Sequence, residues 1–219
     1  MAFLFGAFFF GRHFSLRKRA AILRAVPDSR RVPPITPRQE RLLDALENLF
    51  LDEGFREVTV AALAKRLRCS RRSFYELAPS KEALFLRVFD RYLKRLREAG
   101  RRGAQGLAAE EAIAAYLAPA LEAARKLSTR LMSDVQSYPP ARAMWERHTR
   151  ERMAGLQALI DDCVRTNVFR GIDPYLVAEV MTASLRRIGE PDFLTKAGLS
   201  YRDAVQELYG LLLRGLKVH

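Results

Sequence analysis

From residue 36 onward, apolar side chains recur every three or four positions, and no stretch alternates with period two for long enough to make a strand. A chain patterned this way folds as α-helices whose apolar stripes bury one another. The apolar content of 49% is ample for such a core in 219 residues. The expected fold class is therefore all-α.

Capping residues place the first helices. Thr36 followed by Pro37 opens one that carries Leu42, Leu46, Leu49 and Phe50, and Gly54 ends it in a left-handed C-cap. Phe55 then folds back onto that helix. Thr59 caps a second helix with Val60, Leu63, Ala64 and Leu67 on one face. After a short turn Ser70 caps a third, with Phe74 and Leu77 inward and Pro79 as its stop. Ser80 caps a fourth, whose stripe runs from Leu84 and Phe85 to Leu96, with Gly100 beyond its end. The glycines of residues 100–109 read as a connection. Further helices are expected at about 110–127 with an interruption near Pro119, at 129–137 closed by Pro139 and Pro140, and at 141–167, 174–188 and 201–216.

The net charge of +13 is unevenly spread. Residues 1–99 hold 21 Lys and Arg against 11 Asp and Glu, an excess of ten; residues 100–219 hold 17 against 14, an excess of three. A basic half joined to a nearly balanced one points to a polyanion as the first half's partner and a separate task for the second. The opening segment differs from both: six Phe by Phe14, then a basic stretch, then Pro27, Pro33 and Pro34. It reads as an extension over 1–35 and fits a secretory signal poorly, because its charges follow its apolar run. No apolar run reaches the length of about 20 residues that a membrane span needs, so no membrane association is expected.

Two short helices joined by a tight turn, the second serine-capped and arginine-rich, describe a helix-turn-helix over residues 58–78, whose second helix can enter the major groove of DNA. Lys65, Arg68, Arg71 and Arg72 cluster about the turn, and Glu76 is the only acid between Val58 and Ser80. Phosphates would supply affinity through counterion release, and the exposed face of the short helix would supply side chains to base edges.

Read as a whole, residues 38–88 resemble the N-terminal domain of the TetR family of transcriptional regulators. The resemblance rests on Leu49-Phe50 and Glu53-Gly54-Phe55 at the end of the first helix, Thr59-Val60 and Ala64 in the second, Ser70 and Phe74-Tyr75 in the third, and Ser80 to Phe85 opening the fourth. It implies that Thr59, Ser70, Tyr75 and Lys81 touch phosphates and that Arg71, Arg72 and Ser73 approach bases. Physical chemistry agrees with that division, since hydroxyls and ammonium groups suit phosphates and an arginine fork suits guanine O6 and N7. Arg68 departs from the family pattern by standing where glycine is usual; a left-handed backbone there would cost up to about 1 kcal/mol, which a phosphate contact can offset. Arg72 in place of a small residue, and Leu77-Ala78 in place of two aromatic or imidazole-bearing residues, are further departures.

The same resemblance divides the chain into a DNA-binding domain over 36–80 and a helical ligand-binding and dimerisation domain over 81–219, with 81–99 as a connecting helix. It implies that the last two long helices face their copies across a two-fold axis, through Val177, Val180, Met181, Ser184 and Ile188 in one and Val205, Leu208, Leu212 and Leu216 in the other. An effector pocket for an apolar or aromatic molecule is expected among Tyr116, Met132, Trp145, His148 and Leu156.

The function these readings imply is a homodimeric regulator in the cytoplasm, a repressor that a small, largely apolar ligand releases from a palindromic double-stranded DNA operator. The alternative is a constitutive or architectural DNA binder whose second half only dimerises. Enzymatic activity, a cofactor and a metal are not expected. His13, His148 and His219 show no metal spacing, Cys69 and Cys163 fit no disulfide framework, and no phosphate loop or nucleophile constellation is present in the sequence.

Overall fold

A computed structural model describes residues 35–169 and 171–216. The extension read over 1–35 lies, except for Ile35, outside them. Ten α-helices and no β-strand are found among the described residues.

Helix α1 spans Pro37–Glu53 and starts as expected. The Thr36 hydroxyl accepts from the Gln39 backbone N–H, and the Gln39 side chain accepts in return from the Thr36 N–H at 2.9 Å, a capping box that satisfies two orphan donors. The helix ends at Gly54 in a conformation other than the expected left-handed cap. Its φ is 72° but its ψ is −170°, an extended mirror region open essentially to glycine. Helices α2 (Val60–Arg66) and α3 (Arg71–Tyr75) follow, capped by Thr59 and Ser70, whose hydroxyls accept from Ala62 and Ser73.

Helix α4 spans Lys81–Ala104 and corrects the expectation of a connecting helix over 81–99. It runs through Gly100 and Gly103 because those glycines serve packing instead of chain reversal. A Cβ on Gly100 would lie 2.9 Å from the Tyr116 carbonyl oxygen, and one on Gly103 would lie 3.1 Å from that of Ala115. Both carbonyls belong to helix α5 (Ala109–Ala124), which continues through Pro119 instead of breaking there. Proline removes the N–H that would bond the Ala115 carbonyl, and that carbonyl is the one pressed against Gly103.

Helix α6 (Thr129–Ser137) has its expected bounds, but Pro139 and Pro140 do not merely close it. They form the first turn of α7 (Pro139–Arg165), where a missing N–H has no intrahelical partner to lose. Helices α8 (Pro174–Ile188) and α10 (Tyr201–Leu216) match their expected bounds, and α9 (Pro191–Ala197) was unforeseen. Seven residues without a side-chain N-cap bond leave little periodicity to read.

Among the described residues two apolar clusters result. One joins α1 to α4 and includes Leu46, Phe50, Phe55, Leu63, Phe74 and Phe85, with Leu131 and Val135 of α6 added to it. The Phe55 and Phe85 rings stack at 3.9 Å, and Phe50 meets Phe85 edge-on. The other cluster joins α5, α7, α8 and α10 around Ile113, Leu156, Ile160, Met181, Val205 and Tyr209. Across α1 and α4 runs an ionic seam: Arg91 pairs with Glu40 at 2.8 Å and Asp44 at 2.7 Å, and Arg95 pairs with Glu47. The spacing of Glu40, Asp44 and Glu47 puts all three on one helical face.

Candidate nucleic-acid interface and interior cavity

The α2–turn–α3 unit has one buried side and one exposed side. Leu63, Phe74 and Leu77 are buried beneath it, while Arg68, Ser70, Arg71, Arg72 and Tyr75 are exposed above. The turn closes on backbone bonds from Leu67 N–H to the Leu63 carbonyl and from Cys69 N–H to that of Ala64. Arg68 between them has φ 48°, the left-handed backbone that an arginine adopts at a cost of about 1 kcal/mol. Cys69 is half-buried and burial pushes its thiol up, which opposes thiolate reactivity.

The arginines differ in how they are held. Arg66 makes a bidentate pair with Glu53 at 2.5 and 2.6 Å and so ties α2 to α1. The hydrogen bond from Arg66 holds the Glu53 carboxyl below its usual range. Arg72 pairs with Glu76 at 3.1 Å with its side chain 87% exposed, an arrangement worth only about 0.3 to 0.5 kcal/mol and readily exchanged for a base or phosphate. Arg68 and Arg71 have no acidic partner within salt-bridge distance among the described residues. Ser73 is half-buried, its hydroxyl 3.1 Å from that of Ser70. Lys81 is partly committed: its ammonium donates to the Arg56 carbonyl at 2.7 Å and lies 5.9 Å from the Phe55 ring centroid.

Sequence reasoning missed Asp134. One oxygen of this α6 carboxylate accepts from the Phe55 N–H at 2.7 Å and the Arg56 N–H at 3.0 Å, and the Arg56 guanidinium donates to the Ser137 hydroxyl at 2.8 Å. No local pattern around residue 134 points to a partner so far back in the chain.

Between α4, α5, α7 and α10 lies a cavity of about 30 Å³, room for one or two waters. Trp145 and His148 line it, together with Arg152, Tyr201 and Tyr209. Tyr116, Met132 and Leu156 are buried but do not line it; the Tyr116 hydroxyl instead donates to the Arg152 carbonyl at 2.9 Å. Burial, then the charges of Arg152 and Arg97, push the His148 imidazole down to about 3. It is neutral, and its Nδ1 lies 3.2 Å from Arg97 Nη1, where it accepts from that guanidinium. Arg97 is also paired with Glu151 at 2.8 Å.

Of the residues expected at a two-fold interface, Val177, Met181, Ile188 and Val205 are buried within the single chain, and Val177 and Met181 also form the floor of an apolar groove lined by Leu176, Val180 and Leu211. On α8, Val177 and Met181 share a face with Leu185 and Ile188 that is turned into the second cluster. The outward apolar ridge lies one step around each helix, at Leu176 and Val180 of α8 and Leu211 of α10. Ser184, Leu208 and Leu212 are half-buried at its flank, and the Leu216 side chain is not among those described.

The fold and the presented arginine face define an all-α helix-turn-helix protein of the kind that binds DNA. Residues 42–88 match the family model described as bacterial regulatory proteins, tetR family. Solved structures share the fold. A putative transcriptional regulator from Saccharomonospora viridis, in complex with choline, is 18% identical over 82% of this chain and 97% of its own, with a TM-score of 0.66. The reduced form of NemR from E. coli is 19% identical over 77% and 94%, with a TM-score of 0.60. The fatty acid degradation regulator FadR from Bacillus halodurans is 16% identical over 84% and 98%, also at 0.60. At such identities the likeness is one of fold. A search of curated proteins by sequence found no match. No helix of the described residues is long and apolar enough to cross a membrane.

Proposed function

We propose that this protein is a cytoplasmic, homodimeric repressor that binds a near-palindromic operator and leaves it when a small, largely apolar molecule occupies the body formed by α4 to α10. One observation carries the reading: Arg68, Arg71 and Arg72 project from a helix-turn-helix whose opposite side is anchored by Leu63, Phe74 and Leu77. Arg71 and Arg72 read bases, with Ser73 beside them. Thr59, Ser70, Tyr75, Lys81 and Arg68 hold phosphates.

The ridge of Leu176, Val180 and Leu211 supports a dimer interface, since it is too apolar to face water without a partner. Two copies would set their α3 helices one duplex turn or a multiple apart, about 34 to 36 Å. An effector favouring another separation then shifts the population away from DNA with a coupling of about 1 to 3 kcal/mol. A cation such as the choline of the Saccharomonospora neighbour is disfavoured here, because Arg152 and Arg97 already place positive charge at the cavity. The small size of that cavity favours a second reading, a constitutive binder whose body only dimerises.

Selection of bound duplexes from a randomised pool tests the proposal: a two-fold symmetric consensus is expected, and enrichment without symmetry overturns it. Release of that consensus by a small molecule separates the repressor from the constitutive binder.

A further inference from the structure

We infer that the interior cavity is a site for an organic acid, whose carboxylate pairs with Arg152 and whose apolar chain lies between α5, α7 and α10. The inference names the effector class for the regulator proposed above and rests on that reading only for its consequence at DNA.

Arg152 is 7% exposed, and its Nη2 is buried with no hydrogen-bond partner among the described residues. Its Nη1 reaches only the Tyr209 hydroxyl, at 3.5 Å, and its guanidinium carbon lies 5.7 Å from the Tyr116 ring centroid. The acid beside it in sequence, Glu151, is spent on Arg97. A guanidinium withdrawn from water without a counter-ion is a costly arrangement, and a fold that retains one in a cavity wall holds a fixed anion receptor.

The remaining wall suits a tail. Leu96, Ala123, Ala124, Leu127, Met153 and Val205 are all apolar. His148 beside them is neutral and engaged by Arg97, so an arriving anion meets no negative charge. An ammonium ligand would meet the Arg152 guanidinium instead.

Access is visible as well. A cleft of about 210 Å³ abuts the cavity, shares Trp145 and Thr149 with it, and carries Arg150 and Arg186 against one acid, Glu146. Its excess of positive charge raises the local concentration of anions. The space now beside Arg152 is of carboxylate size, so a chain longer than a few carbons would displace a wall residue, and we assign that movement to Trp145, which lines both cavity and cleft. Trp145 is the only tryptophan of the chain and reports that displacement.

The test is fluorescence titration of the full-length dimer with octanoate, decanoate, dodecanoate and phenylbutyrate, against decanol and decylamine. At least one acid is expected to shift Trp145 emission saturably, and decanol and decylamine to bind roughly ten- to hundredfold more weakly than decanoate, the worth of a buried charged hydrogen bond. Arg152→Met is expected to abolish the preference for acid over alcohol while raising the melting temperature, because an unpaired buried charge is removed. Arg152→Lys is expected to keep part of the preference, and decides the matter if the methionine variant does not fold. Equal binding of decanoate and decanol to the wild type, no response to any acid, or an acid preference that survives in Arg152→Met overturns the inference. A symmetric operator found with no acid bound sinks the acid site and leaves the regulator; acid bound with no DNA bound does the reverse.

Discussion

Asp134 accepts the Phe55 backbone N–H at 2.7 Å across 79 residues of sequence, and the same carboxylate oxygen fills the space where a side chain on Gly54 would begin. The end of α1, the residue from which the chain turns toward the helix-turn-helix, is thereby fastened to α6, and α6 leads directly into α7 with its cavity wall. A shift of α7 that drags Asp134 would move the DNA-reading unit, which makes this contact a candidate for coupling ligand to operator.

Asp134→Ala is expected to cost about 1 to 3 kcal/mol of stability in urea unfolding, since two backbone donors lose their acceptor. Operator binding should persist while its response to effector weakens. Gly54→Ala is expected to be more severe, because a Cβ would stand 2.4 Å from that oxygen on a backbone at φ 72°. Unchanged unfolding midpoints in both variants would remove the contact from any account of the fold.

At the DNA surface, Arg72→Ala should relax base preference at one position per half-site and cost about 1 to 3 kcal/mol on the best operator. Lys81→Ala should weaken all sequences about equally and reduce the salt slope by about 1. Competition binding on a mutated operator series at several salt concentrations separates the two. Equal, sequence-blind losses would show that the base-reading role belongs elsewhere.

His148 links stability to acidity. Its folded-state pKa is lowered to about 3, whereas an unfolded imidazole titrates near 6.5. The contribution is therefore complete above about pH 6.5 and is lost as pH falls toward 3, because only the unfolded chain takes up the proton in that window. Between pH 7 and pH 4.5 the wild type should lose about 2 to 3 kcal/mol more than His148→Gln, a variant able to accept from Arg97 in the same place. Parallel losses in the two proteins, measured by urea unfolding at each pH, would refute the assignment of a neutral buried histidine.

The outward ridge and the inward stripe of α8 should respond differently. Val180→Glu and Leu211→Glu, at positions 53% and 65% exposed, should give folded monomers with greatly weakened operator binding. Val177→Glu should unfold the chain, since that side chain is 6% exposed and a carboxylate there would lack any partner. Sedimentation and circular dichroism distinguish the outcomes; dimers that persist in both ridge variants would place the interface elsewhere.

What could be read from the sequence were features whose causes lie within about four residues of each other. Thr36, Thr59, Ser70 and Ser80 cap helices because a side-chain oxygen meets an N–H three positions on, and the bounds of α6, α8 and α10 follow from periodicity with caps and prolines. The helix-turn-helix was legible for the same reason, as was its arginine face, because a face opposite Leu63, Phe74 and Leu77 must look outward.

Tertiary packing decided the rest. Gly100, Gly103 and Pro119 signalled breaks by local rules, yet the helices continue, and α4 and α5 approach so closely that a Cβ on either glycine would press on an α5 carbonyl. Which face of α8 looks into the chain and which outward was equally invisible, since two adjacent apolar stripes have the same period and only the placement of α5, α7 and α10 distinguishes them. The grip of Asp134 on Phe55 and the burial of Arg152 without an acidic partner among the described residues arise between residues far apart in sequence. Local pattern determines helices and their ends; the partner that each exposed or buried group finds, or lacks, is set only when those helices come together.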